Sequence, residues 1–314
     1  MTNMYIRTWT PDDYDTLVGI ANANMPEYAS TVGDWQHDDE HRDPRTKWNR
    51  LVAELDGEVV GFGSYWQLPF MYHPQKFSAN IHIHPAHQRR GIGTALYERL
   101  VAELQRFDAL LLRGNIREDY GNSVGFATHL GFREEMREWE SRLDIASFDL
   151  EAWAAQRQFA PGIAVKTLEE LAHDPERNRK LHALETELDQ DIPSPDEMTL
   201  VPFEVWEQRI IGNPGLMHDA FLVAVDGDEY VGVSALWRSQ ADQSVSNGLT
   251  GVRRSHRRKG IALALKLANL AYAKRHDIPS IKTWNASNNR AMLSINEALG
   301  FVKQPAWVNI VKTF

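Results

Sequence analysis

"HPAHQRRGIGTALYERLVAEL" (His84–Leu104) and "VRRSHRRKGIALALKLANLAY" (Val252–Tyr272) are one piece of chain written twice. Each leaves a β-rich stretch, passes an Arg-rich turn containing glycine, and enters an apolar helix. Sliding the chain by 169 residues lays Gln88–Phe132 on Arg257–Phe301 without a gap over 45 positions, 11 of them identical. Upstream, "DGEVVGFGSYW" (Asp56–Trp66) answers "DGDEYVGVSALW" (Asp226–Trp237), so the repeat spans most of each half. The period is far too long for a solenoid and indicates a duplicated domain.

The order of elements is the same in both halves. A short strand ("YIRTWT", "IAVKTL") leads to helices, which in the second half include Pro175–Leu188 and Pro202–Ile211. A hairpin follows, with Asp-Gly between β-rich runs. Next come a strand (Phe77–His84, Val245–Val252), the Arg-Gly turn and its helix, another strand, and a short helix ending in "LGF". Helices mixed with an antiparallel hairpin define an α+β class. The expected plan is a first domain over residues 1–145, a linker over 146–161 and a second domain over 162–314, with Pro161-Gly162 as the boundary.

Composition sets the surroundings. Hydrophobic residues make up 43% and charged residues 25% of the 314, as in soluble globular chains. No apolar run is long enough to span a bilayer, and the start has neither a basic region nor an apolar stretch of the secretory kind. The absence of cysteine excludes disulfides, thiolate metal sites and a Cys nucleophile, and fits a cytoplasmic protein. The net charge of −9 argues against nucleic acid as the partner. His82, His84 and His87 are too scattered by strand geometry and Pro85 to form a metal site, so none is expected. Trp66 and Trp237 end equivalent strands and are expected in the core.

Each turn has the form Gln/Arg-x-x-Gly-x-Gly/Ala. Small residues let backbone approach a ligand, and the first helical amides have no intrahelical partners. Those N–H groups and the positive end of the helix dipole attract an anion. Flanking arginines add charge, so the turn suits a phosphate-bearing ligand.

Strand, Arg-Gly turn, helix, strand and "LGF" together resemble the GNAT superfamily of acyl-CoA-dependent N-acyltransferases, in its tandem form. The resemblance implies two GNAT domains, each a mixed, mostly antiparallel sheet flanked by helices, and acetyl-CoA as cofactor. It implies that Gln88, Arg89, Arg90, Gly91, Ile92, Gly93 and Thr94 hold the pyrophosphate, and Arg257, Arg258, Lys259, Gly260, Ile261 and Ala262 in the second copy. Ile81 and Ile83, then Thr250 and Val252, would line the pantetheine arm. Asn122 and, in the second half, Asn285, Asn288, Asn289 and Asn296 fall where the family's strand-to-helix loop meets coenzyme A.

The family's usual acid and base are missing. The tyrosine position holds Ala127 in one half and Asn296 in the other, and neither strand before the turn carries a carboxylate. The catalytic groups are therefore unassigned, with Asn296, His82, Glu187 and Asp189 as candidates. The expected activity is acetyl transfer from acetyl-CoA to the amine of a small molecule by direct attack, in a monomer or homodimer, with the second half favoured as catalytic. The alternatives are a coenzyme A-binding sensor or scaffold without transfer activity, and an acetyltransferase acting on protein amines.

Overall fold

The computed structural model describes residues 4–314. Residues 1–3, on which part of the reading of the N-terminus rests, lie outside the described residues. The first half contains β1 (Met4–Thr8), α1 (Tyr14–Asn24), α2 (Val32–Glu40), β2 (Trp48–Leu55), β3 (Glu58–Trp66), β4 (Lys76–Ile83), α3 (Ile92–Leu104), β5 (Leu111–Arg117), α4 (Gly121–His129) and β6 (Arg133–Asp144). The second contains β7 (Ile163–Thr167), α5 (Arg177–Asp189), α6 (Phe203–Trp206), β8 (Leu216–Asp226), β9 (Glu229–Arg238), β10 (Val245–Val252), α7 (Ile261–Arg275), β11 (Ser280–Ala286), α8 (Arg290–Ala298), β12 (Val302–Lys303) and β13 (Trp307–Thr313).

Alternation along the strands sorts the core into two layers, because successive side chains point to opposite faces. On β2, Val52 joins Phe62, Leu17 and Ile20 under α1. Its neighbours Leu51 and Ala53 face the other way, packing with Leu96, Leu100 and Leu104 of α3. The second half repeats this, with Val223 and Val233 under α5 and Leu222, Ala224 and Val231 under α7. At about 1.5–3 kcal/mol for each fully buried Leu or Val, these layers hold the helices firmly on the sheet.

The halves do not keep separate sheets. One 13-stranded sheet runs β1-β2-β3-β4-β5-β13-β6-β11-β10-β9-β8-β7, with β12 also on β6. Each half gives its last strand to the other: β13 pairs with β5, and β6 pairs with β11. The registers are equivalent, since Leu143 faces Ile281 and Lys312 faces Leu112, both pairs related by the repeat offset. Where β6 and β13 meet, Glu138 faces its own repeat counterpart Trp307, marking a pseudo-twofold axis.

Within this antiparallel frame, β4–β5 and β10–β11 are parallel, and each pair is short. Pairing holds from Lys76/Leu111 to Ser78/Arg113 in the first half, and at Val245/Ile281 and Ser246/Lys282 in the second. Beyond those points the strands part into a V that opens toward the Arg-Gly turn.

Candidate active site

The two turns have the same backbone. Arg89 and Arg258 both adopt φ 63°, and Gly91 and Gly260 adopt φ 81° and 76°. Each glycine caps its helix in the left-handed region with no side-chain hydrogen bond, leaving first-turn amides free. A Cβ on either glycine would meet nothing within 4 Å, so glycine is required by conformation rather than by crowding. Arg89, Arg90, Arg258 and Lys259 are exposed. Gln88 and Arg257, expected to face the cofactor, each also bond back to the end of the preceding strand. Gln88 Nε2 donates to the carbonyl of Ile83 (3.2 Å), and Arg257 Nε donates to that of Val252 (3.0 Å), latching the strand end to the turn.

What lies beside each latch differs. Gln88 also donates to Asn24 Oδ1 at the end of α1 (3.0 Å). In the second half that place is taken by Asp191, which pairs with both Arg254 and Arg257. A carboxylate beside the second turn cancels part of its positive field, which the first turn keeps.

The V clefts differ more. At the fork of the first half stand Ala79 and Gly114, leaving the gap clear. At the fork of the second stand Asn247 and Thr283, and the Thr283 hydroxyl donates to the carbonyl of Asn247 (3.0 Å). There Lys266 Nζ donates to Asn247 Oδ1 (2.5 Å), and Asn269 donates to Ser234 (2.9 Å), all buried. Leu188 of α5 lies directly over Gly251, within 2.8 Å of where a Cβ would stand. β10 also bulges between Asn247 and Thr250, whereas β4 pairs with β3 in unbroken register. Thr250 bonds Ser234 and Asn247 inside this network, and the Val252 side chain packs under α7.

A cavity of about 810 Å³ runs through the first V and reaches both faces of the sheet. On the α3–α4 side it touches Gln88, Ile81, Asn122, Phe126 and Tyr97. On the other side it is walled by Trp66, Phe70, Met71, Arg117, Glu138 and Trp307. Ile83 is not in the lining and packs beneath α3. Two buried polar atoms on the cavity, Asn80 Oδ1 and Tyr97 Oη, have no hydrogen-bond partner among the described residues. Leaving such atoms unpaired costs about 1–3 kcal/mol each, which a polar ligand passing through the V would recover.

The second half supplies the roof. Its segment after α5, including Ile192, Pro193 and Met198, closes the cavity from above. Thr199 N donates to the Phe70 carbonyl (2.7 Å), and Asp196 bridges Lys76 on β4 and Arg113 on β5. Trp66, expected in the core, is a cavity wall, whereas Trp237 packs against Gly248 as expected.

The proposed catalytic residues do not converge. His82 lines the cavity but stacks on Phe62 (centroids 5.0 Å apart), and burial pushes its imidazole down to about 4, so it is a weak base. Glu187 pairs with Arg253 (3.1 Å), and Asp189, pushed up to about 6 by burial, lies on α5 in the second half. Asn296 is 1% exposed and donates to Asn285 (2.7 Å), a bond inside the core. Asn289 caps α8, accepting from Met292 N. Asn288 is exposed.

Sequence reasoning missed Glu138. It is the one carboxylate on the cavity among the described residues, and burial raises it above the usual range. Its sole hydrogen bond is a long one from Asn309 Nδ2 (3.4 Å). It sits in a charged β6 segment, "REEMREWESRLD", that reads as a solvated strand. The signal was there only as a carboxylate at the repeat position of Trp307.

A fork between parallel strands, an anion-ready turn at its mouth and a second copy beside it define the acyl-CoA N-acyltransferase architecture. The model of the acetyltransferase (GNAT) family matches residues 9–132 and 168–301, so the chain belongs to that family, twice over, and is an acetyltransferase. Among curated relatives it is 26% identical to the mycothiol acetyltransferase of Streptomyces scabiei over 273 residues, 82% of this chain and 78% of that one. Among solved structures it resembles a tandem GNAT protein from the clavulanic acid biosynthesis pathway, with a TM-score of 0.79 at 22% identity, covering 99% of this chain and 98% of that one. A GCN5-related N-acetyltransferase from Sphaerobacter thermophilus gives a TM-score of 0.69 at 18% identity, over 99% and 95% of the two chains. The family uses acetyl-CoA. No helix among the described residues is long and apolar enough to cross a membrane.

Proposed function

We propose that the chain transfers the acetyl group of acetyl-CoA to the amine of a small molecule, and that the reaction takes place in the first half. The carrying observation is the cavity through the first V, which joins the turn side of the sheet to a walled chamber on the other face. The pyrophosphate would sit on the amides following Gly91, with Arg89 and Arg90 beside it. The pantetheine arm would pass between β4 and β5, past Ile81, Asn80 and Tyr97. Backbone N–H groups freed by the splay can polarise the thioester carbonyl without a special side chain.

The second half is favoured less than its asparagine-rich loop suggests. Its fork is laced by Thr283, filled by Lys266 and Leu188, and faced by Asp191 at the turn. Its contribution is the roof over the first cavity and the strand β13 along the edge of β5. That roof also argues against a protein amine as acceptor, since Ile192 to Met198 cover the chamber where a lysine loop would enter. Direct attack is the simplest route, because the chain has no cysteine to form an acyl-enzyme.

Titrating acetyl-CoA calorimetrically into the wild type tests this. One site is expected, abolished by Gly91→Asp and retained in Gly260→Asp. A site that survives Gly91→Asp and vanishes with Gly260→Asp would move the reaction to the second half, and no binding at all would overturn the acetyl-CoA reading.

A further inference from the structure

The chamber beyond the fork has a chemistry of its own. Trp66, Phe70, Met71, Met198 and Trp307 make its walls largely apolar, and Glu138 reaches it from β6. The cations on this face are already engaged. Arg113 is held by Glu135 and Asp196, and Arg117 by Asp119 and Glu27. Lys282 on β11 donates to the Glu27 carbonyl and lies over the Tyr28 ring. The neighbouring carboxylate, Glu140, pairs with Arg142 and accepts from the Tyr28 hydroxyl. Glu138 has no ion pair among the described residues, only the long bond from Asn309. It is also on the face that carries Asn115 and Arg117, because Trp307 lies directly opposite both Arg117 and Glu138 in the ladder.

We propose that the acceptor is a small apolar primary amine, aryl or alkyl, bound as its ammonium by Glu138, which then takes the proton that must leave before attack. This rests on the acetyl-CoA reading given above. An apolar chamber with one unpaired carboxylate selects a ligand with one cationic end and a greasy body. Aromatic walls add attraction for the ammonium. A polyol amine, an amino acid or a phosphorylated amine would set several polar or charged groups against walls that are mostly apolar and whose arginines are already paired.

The chemistry balances without another reagent. The ammonium gives one proton to the Glu138 carboxylate, directly or through one water. The freed lone pair forms the C–N bond to the acetyl carbon, and the C–S bond breaks. The thiolate takes the second proton from the nitrogen, leaving amide and thiol, and Glu138 returns its proton to solvent. Strands β5 and β6 lie two ladder spacings apart, about 10 Å, a gap that a glutamate side chain and a bound amine can span. The burial that raises Glu138 makes it a better base than an exposed carboxylate.

The test compares 2-phenylethylamine and hexylamine with glucosamine and a lysine-containing peptide, using the full chain, Glu138→Gln and Glu138→Asp. Acetyl-CoA binding and thermal melting are followed in all three. The apolar amines are expected to be the better substrates. Glu138→Gln should lower kcat/KM for them by about 100-fold and remove the acid limb of its pH profile, with acetyl-CoA affinity unchanged. Glu138→Asp, which keeps the charge, should retain that limb. Preference for glucosamine or the peptide, or an unaltered acid limb in Glu138→Gln with acetyl-CoA still bound, overturns this proposal alone. Loss of acetyl-CoA binding in the wild type overturns the function reading, and this one with it.

Discussion

The hydroxyl of Thr283 donates to the backbone carbonyl of Asn247 across 3.0 Å, joining β11 to β10 at the very fork where the equivalent first-half strands separate. In the first half the repeat position of Thr283 is Gly114, and the residue opposite is Ala79. One hydroxyl therefore closes the second cleft where a missing side chain opens the first. The contrast explains how two turns with superimposable backbones can serve different ends.

Gly114→Thr should transplant the closure. A Cβ at Gly114 would lie 3.3 Å from Ile310, a tight fit that a flexible side chain can relieve. The expected outcome is a folded protein with acetyl-CoA affinity reduced about tenfold or more, equivalent to about 1.4 kcal/mol. Calorimetry with a parallel thermal melt checks it. Unchanged affinity would mean the arm does not use the fork.

Gly91→Asp and Gly260→Asp form a matched pair. Both force an ordinary residue into the left-handed region, costing about 1–2 kcal/mol of stability each, so their melts should fall together. Their binding should not. The Gly91 variant is expected to lose about 100-fold in acetyl-CoA affinity through repulsion at the helix N-terminus, and the Gly260 variant to lose almost none.

Asp196→Ala releases the roof. It removes carboxylate bonds to Lys76 and Arg113, while Arg113 keeps Glu135. Partly buried pairs of this kind hold on the order of 1–2 kcal/mol. Acceptor KM should rise about tenfold at constant acetyl-CoA affinity, read by steady-state kinetics. A rise confined to acetyl-CoA would place the segment on the wrong side of the sheet.

Lys266→Met tests the filling of the second fork. Burial drives the Lys266 ammonium down to about 7 from the ordinary 10.5. Between those values the unfolded chain binds the extra proton, so stability rises as pH climbs from about 7 toward 10.5 and stays low beneath. Methionine has no charge to bury and leaves Asn247 Oδ1 its bond from Thr250. The variant should be more stable at pH 7 by a few kcal/mol and lose the alkaline rise, as melts across that range would show.

Glu185→Gln should act with the opposite sign. Burial raises Glu185 to about 7 from 4.5, although Trp206 donates to it at 2.7 Å. The folded chain then binds the extra proton, and stability falls as pH rises from about 4.5 to about 7. Glutamine keeps an acceptor for Trp206 and should flatten that fall. A slope unchanged in the variant would assign it to another carboxylate, with Asp189 next to be replaced.

Much of this was legible before any coordinates. The 45-residue repeat, the Asp-Gly hairpins and the strand–turn–helix order predicted both turns and the α+β class. These are local patterns: a glycine that must take positive φ, an alternation that chooses a face, an apolar stripe that makes a helix. The arginine turns could be read because everything they need lies within ten residues.

The exchange of β6 and β13, the open first fork and the arrival of Glu138 at the cavity were decided by tertiary structure alone. A duplicated chain presents two nearly equivalent edges, at β5 and β11, and no local pattern tells a strand which to choose. Pairing energies favour both, and the connection lengths and the fit along the whole ladder settle it. Whether a fork is clear depends on residues such as Asn247 and Thr283, which meet only when two parallel strands far apart in sequence come into register. Residue order thus determined that there would be two anion-binding turns, while packing determined which of them opens onto a chamber, because openness is a property of the space between elements.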